Sequence, residues 1–101
     1  MSKKILLTCA GGFSTSMLVE KMKTAVANQE LDIVIDACGE GALESFLPAD
    51  VILIGPQLGY AEDEIRELTE NAIPVAVIDM MDYGMMNGEK VLATALDLMN
   101  A

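Results

Sequence analysis

Four short apolar runs, separated by segments of helical periodicity, leave this chain few ways to fold. They are Ile5-Leu6-Leu7-Thr8-Cys9, Ile33-Val34-Ile35-Asp36-Ala37, Val51-Ile52-Leu53-Ile54 and Val75-Ala76-Val77-Ile78. Three are nearly continuous rather than alternating, the pattern of strands covered on both faces. The second alternates in part, which suits an edge strand. Between the runs, residues 15–28 place Leu18, Met22, Ala25 and Val26 on one helical face. Residues 61–72 place Ala61, Ile65, Leu68 and Ala72 at helical spacing, with Glu62, Asp63, Glu64 and Glu67 outside. The acidic residues of that first turn also favour the helix dipole. Residues 88–100 repeat the pattern with Val91, Ala95, Leu96 and Met99, and residues 41–47 read as a short helix ended by Pro48. Strand and helix alternate four times. The expected fold is therefore α/β, a single four-stranded parallel sheet in the order 2-1-3-4 with helices on both faces. With 101 residues, the chain is long enough for one domain, 1–101, and hardly for two. Only 4% of the residues are aromatic, so aliphatic side chains and 8 methionines must fill the core.

In such a sheet, sites form beyond the carboxyl ends of the strands, where the strand order reverses. The first strand stands at that point with the third beside it. The residues delivered there are Cys9 onward, Gly55-Pro56-Gln57 and Asp79 to Gly84. Net charge limits what they can do. There are 16 acidic and 6 basic residues, a formal charge of -10, and such a surface repels nucleic acid and anionic lipid. A partner with a basic face would suit it. Any phosphate held here must be held mainly by backbone N–H groups. There is no histidine, which removes Ser-His and Cys-His catalysis within the chain. Two cysteines make neither a disulfide framework nor, with carboxylates alone to help, a reasonable zinc site. The expected setting is a reducing cytoplasm, with no membrane insertion, no metal and no cofactor.

The segment after the first strand reads Cys9-Ala10-Gly11-Gly12-Phe13-Ser14-Thr15-Ser16. Glycines permit the positive φ angles of an anion-binding nest. A helix start offers unpaired N–H groups and a partial positive charge. Ser14, Thr15 and Ser16 can cap that helix or donate to a bound oxyanion. The same field stabilises a thiolate, so Cys9 can be ionised without a histidine and attack phosphorus. A buried cysteine before an ordinary glycine-rich turn is the bland alternative. The coincidence of cysteine, glycines, hydroxyls and helix start favours the chemical one. A cysteine-dependent phosphatase would need an arginine six residues on. That position is Thr15, and the only arginine is Arg66 in a later helix. Without the guanidinium fork, and without an Asp-Pro acid loop, the segment suits a protein that holds a phosphoryl group rather than handing it to water.

Cys-Ala-Gly-Gly-Phe-Ser-Thr-Ser-Met-Leu-Val resembles the phosphorylation loop of the IIB component of the bacterial phosphotransferase system, lactose/cellobiose/chitobiose type. Gly11 and Phe13 replace the alanine and methionine usual in that pattern. The resemblance extends to Asp50-Val51-Ile52-Leu53-Ile54-Gly55-Pro56-Gln57 and to Ile78-Asp79 with Tyr83-Gly84. It implies a fold similar to the core of low-molecular-weight tyrosine phosphatase. It further implies a protein-phosphocysteine–sugar phosphotransferase. A IIA partner gives the phosphoryl group of a phosphohistidine to Cys9, and phospho-Cys9 gives it to a sugar, such as cellobiose, chitobiose or lactose, held by a membrane IIC partner. By carry-over Cys9 is the nucleophile and Ala10, Gly11, Gly12, Phe13, Ser14, Thr15 and Ser16 are the cradle. Gln57, Asp79 and Tyr83 are candidates for shaping the site or meeting a partner.

Other readings stay open on sequence alone. Cys38 ends the second strand and could pair with Cys9 in a redox or arsenate-reductase-like enzyme, although a small apolar residue at a strand end is the simpler account. A non-enzymatic regulatory module of this fold would not need Cys9. Gln57 reads equally as a turn residue, Asp79 as a cap, and Tyr83 as a cover for the loop or the core. Met80, Met81, Met85 and Met86 bracket Tyr83 and read as a docking patch or, for at least two of them, as core.

Overall fold

The computed structural model describes residues 3–9 and 12–100, and for residues 9, 12–15 and 40 the course of the backbone alone. Four strands, β1 (Lys3–Cys9), β2 (Ile33–Gly39), β3 (Val51–Ile54) and β4 (Val75–Val77), form one parallel sheet in the order β2-β1-β3-β4. Helices α1 (Gly12–Asn28), α2 (Leu43–Phe46), α3 (Glu62–Leu68), α4 (Met80–Gly84) and α5 (Gly88–Met99) follow the strands, with short 3-10 turns at Glu40–Ala42 and Pro56–Ala61. The expected architecture is present.

Alternation along the strands divides the interior in two. Ile5, Leu7, Ile35, Val51 and Leu53 face α1 and α5, where Leu18, Met22, Ala25, Val91, Leu92 and Ala95 cover them. Leu6, Ile52, Ile54 and Val75 face the other way, under Leu43, Leu58, Ala61 and Ile65. The right-handed crossover rule explains the split. The chain leaves β1 toward β2 and later returns past it to β3, so α1 lies on the face opposite α2 and α3. Of the central strands, β3 is buried throughout and β1 from Ile5 to Thr8. β2 lies at an edge, with Val34 half in solvent.

α1 and α5 pack closely because Gly88 has no side chain. A Cβ there would lie 2.6 Å from the carbonyl carbon of Lys21 and 2.7 Å from the Met22 nitrogen. The α1 terminus closes as a Schellman motif: Leu31 N–H donates to Val26 O at 3.1 Å, with Glu30 in the left-handed region at φ 54°.

Three expectations need correction. The helix foreseen at 61–72 ends at Leu68, because Glu70 and Asn71 turn the chain with φ of 54° and 58°. Leu68 and Ala72 are consequently exposed rather than part of the apolar face. The first helix begins at Gly12 rather than 15, which puts Ser14 and Thr15 inside its first turns rather than at its cap. The stretch Asp79 to Gly84, read as a loop, contains α4.

Candidate functional site

β1 ends at Cys9, in register with Gly39 of β2, while Thr8 stands opposite Ile54 of β3. Gly55 N–H donates to Thr8 O at 2.8 Å, so the turn after β3 starts against the last peptide of β1. Cys9 thus reaches the carboxyl end of the sheet at the reversal point, with bare glycine backbone on its β2 side. A Cβ built on Gly39 would meet nothing within 4 Å.

The helix that follows differs from the others in charge. α1 has no acidic residue in its first turn. α2 has Glu44, α3 has Glu62, Asp63 and Glu64, α4 has Asp82 and α5 has Glu89. A carboxylate in the first turn satisfies part of the partial positive charge of a helix start. The first turn of α1 contributes no carboxylate of its own to that partial charge. Cradle residues Ala10 and Gly11 lie outside the described residues. Gly12, Phe13, Ser14 and Thr15 have a described backbone, which is helical. Ser16 is exposed, one turn into the helix.

The weaker candidates separate. Asp79 is the N-cap of α4: its carboxylate accepts from Met81 N–H at 2.9 Å and Asp82 N–H at 3.2 Å. Those bonds fix the chain as it leaves β4. Gln57 is exposed in the 3-10 turn that follows Gly55. Tyr83 is buried in the α1/α5 side of the core. Cys38 stands opposite Thr8, one residue short of Cys9, and packs among the residues under α2 and α3. Met80, Met81 and Met85 are exposed, so the reading of at least two of these methionines as core is overturned; only Met86 is half-buried.

Sequence reasoning missed α4, although Asp79 directly before Met80 and Met81 was a usable signal. It also missed Gly39 beside Cys9, which only strand register reveals. Among the described residues no group of three or more histidines, cysteines or carboxylates is placed to hold a metal ion. No described helix is long and apolar enough to cross a membrane.

Residues 4–94 match the family model described as the lactose/cellobiose-specific IIB subunit of the phosphotransferase system. The cellobiose-specific EIIB component of Lactococcus lactis subsp. lactis is 44% identical over 105 residues, covering 97% of each chain. The oligo-beta-mannoside-specific EIIB component of Bacillus subtilis is 46% identical over 99 residues, covering 96% of each. The solution structure of the cellobiose-specific IIB component from Borrelia burgdorferi superposes with a TM-score of 0.82 at 37% identity, over 99% of this chain and 94% of that one. A parallel sheet in the order 2-1-3-4, a cysteine at the end of its first strand and near-full-length identity with such relatives lead to one assignment: the chain belongs to the lactose/cellobiose-specific IIB family of the phosphotransferase system.

Proposed function

We propose that residues 1–101 form one cytoplasmic phosphocarrier domain in which Cys9 accepts a phosphoryl group from a phosphohistidine on a IIA protein. Phospho-Cys9 then passes it to a sugar held by a membrane IIC protein. The observation that carries this reading is the passage from β1 to α1. A cysteine at the reversal point of the sheet runs, within three residues, into a helix of 17 residues whose first turn carries no carboxylate. The names of the relatives, cellobiose-specific and oligo-beta-mannoside-specific, support a β-linked disaccharide such as cellobiose, chitobiose or lactose as acceptor.

The chemistry balances without cofactor or metal. The Cys9 thiolate attacks phosphorus, the S–P bond forms and the N–P bond of the donor breaks, its electron pair staying on the imidazole nitrogen. In the second step a sugar hydroxyl attacks, the S–P bond breaks, the thiolate returns and the hydroxyl proton leaves to solvent or to a base on the acceptor partner. Phosphoryl transfer asks of a protein mainly positioning and charge stabilisation. With no histidine and a formal charge of -10, the amides from Ala10 to Ser16 supply both, helped by the hydroxyls of Ser14, Thr15 and Ser16. The helix start also favours the anionic form of sulfur over the thiol. Asp79 and Tyr83 act at one remove, fixing the neighbouring turn, and Gln57 lies where a partner approaches.

Mixing the protein with histidine-phosphorylated IIA protein and reading intact mass tests this. One phosphoryl group should appear, on Cys9, and Cys9→Ser should not acquire it. Uptake by Cys9→Ser at the wild-type rate would remove Cys9 from the role.

A further inference from the structure

Seven large hydrophobic side chains are exposed among the described residues: Met17, Val34, Tyr60, Leu68, Met80, Met81 and Met85. Five of them belong to segments that leave the carboxyl end of the sheet. Met17 is in the second turn of α1, Tyr60 in the turn after β3, and the three others on or beside α4, after β4. Val34 and Leu68 lie away from this end. Methionine is ordinarily among the buried residues. Met80, Met81 and Met85 are 75%, 70% and 74% exposed.

These side chains do not stand on a fraying segment. Asp79 caps the start of α4, Tyr83 anchors its middle in the core, and Asn87 N–H donates to Asp82 O at 2.9 Å across its end. Met81 and Met85 are four residues apart and share a face. β4 is two strands from β1, so this platform stands about 10 Å to one side of the strand end that carries Cys9.

We infer that the α4 methionines are the docking platform for the phosphohistidine donor, a soluble protein presenting an apolar patch rimmed by lysine and arginine. This rests on the phosphocarrier reading and names the surface that reading requires. Charge decides the occupant. Asp79 flanks the methionines, Asp82 beside them is paired with Lys90 Nζ at 3.9 Å, and the chain as a whole carries -10. A second copy would bring the same charge, and an anionic bilayer would repel it. A cation-rimmed soluble partner is attracted, and flexible thioethers adapt to a surface that must bind and release.

The test is the triple variant Met80→Gln, Met81→Gln and Met85→Gln, whose sites are exposed, so that the thermal melt should be unchanged. Labelling of Cys9 is followed against the concentration of histidine-phosphorylated lactose/cellobiose-class IIA protein. KM for the donor should rise about tenfold or more. The rate at saturating donor, and alkylation of Cys9 by iodoacetamide, should stay at wild-type values. An unchanged KM overturns the platform. A wild-type protein that takes no label at any donor concentration overturns the phosphocarrier reading instead. Peroxide footprinting gives an independent check: unphosphorylated IIA protein should protect the three methionines from sulfoxide formation. Protection by anionic vesicles, or by raising the concentration of the chain alone, would assign the surface to a membrane or to self-association and overturn the proposal.

Discussion

α1 and α3 start at the same end of the same sheet, yet their first turns are opposite in character. α3 opens on Glu62, Asp63 and Glu64, in keeping with the ordinary preference of a helix start for negative charge. α1 opens on Gly12, Phe13 and Ser14, with no carboxylate to answer the same partial charge. In a chain carrying 16 acidic residues, that gap is informative. A helix start that supplies its own anion is satisfied and inert. One that supplies none is left to attract an anion from outside. On the phosphocarrier reading, this difference is what favours the β1–α1 passage over the start of α3 as the phosphoryl site.

Making α1 resemble α3 should break the contrast with the largest effect. Ser14→Glu places a carboxylate in the first turn of α1, where it competes with sulfur and phosphoryl oxygens for the same amides. Labelling of Cys9 by the IIA donor should slow by about tenfold or more, while the melting temperature holds or rises. Labelling at the wild-type rate would show that the helix field is irrelevant to acceptance.

Displacing α1 comes next. Gly88→Ala forces a Cβ into the Lys21–Met22 backbone, so α1 and α5 must move apart. Denaturant unfolding should report a loss of about 1–3 kcal/mol, because a packed helix pair resists the added volume. Asp79→Ala removes the cap of α4, for a loss of about 1 kcal/mol. It should also raise the peroxide reactivity of Met81, since the helix beneath it loosens. The smallest effect belongs to Asp63→Asn, which removes one first-turn carboxylate from α3. About 0.3–1 kcal/mol of stability should go, with no change in the rate of Cys9 labelling. A changed rate would mean that the charge of α3 reaches the site and that the two helix starts are not independent.

The strands were legible because continuous apolar runs admit little else: β3 spans the run 51–54. Topology followed from alternation and handedness, and with it the gathering of Cys9, Gly55 and Asp79 at one end. What escaped was local or long-range in origin. Leu68 and Ala72 have helical spacing, but the chain turns at Glu70 and Asn71, where the left-handed conformation is adopted without the glycine that usually announces it. α4 spans five residues, too few for a period to show. Tyr83 and the methionines around it have similar hydrophobic character on paper, and only the placement of α1 and α5 decides that the tyrosine is covered and Met80, Met81 and Met85 are not.

Gly39, lying alongside Cys9 with open space where a side chain would be, has a consequence for what this strand end can serve. An imidazole ring and a pyranose have little shape in common, yet on the phosphocarrier reading both must come within bonding distance of one sulfur. On the β2 side, at Gly39, no side chain is present to shape the approach of either. On that reading, selectivity falls to the proteins that deliver and collect, and the same strand end would serve different sugars without being rebuilt.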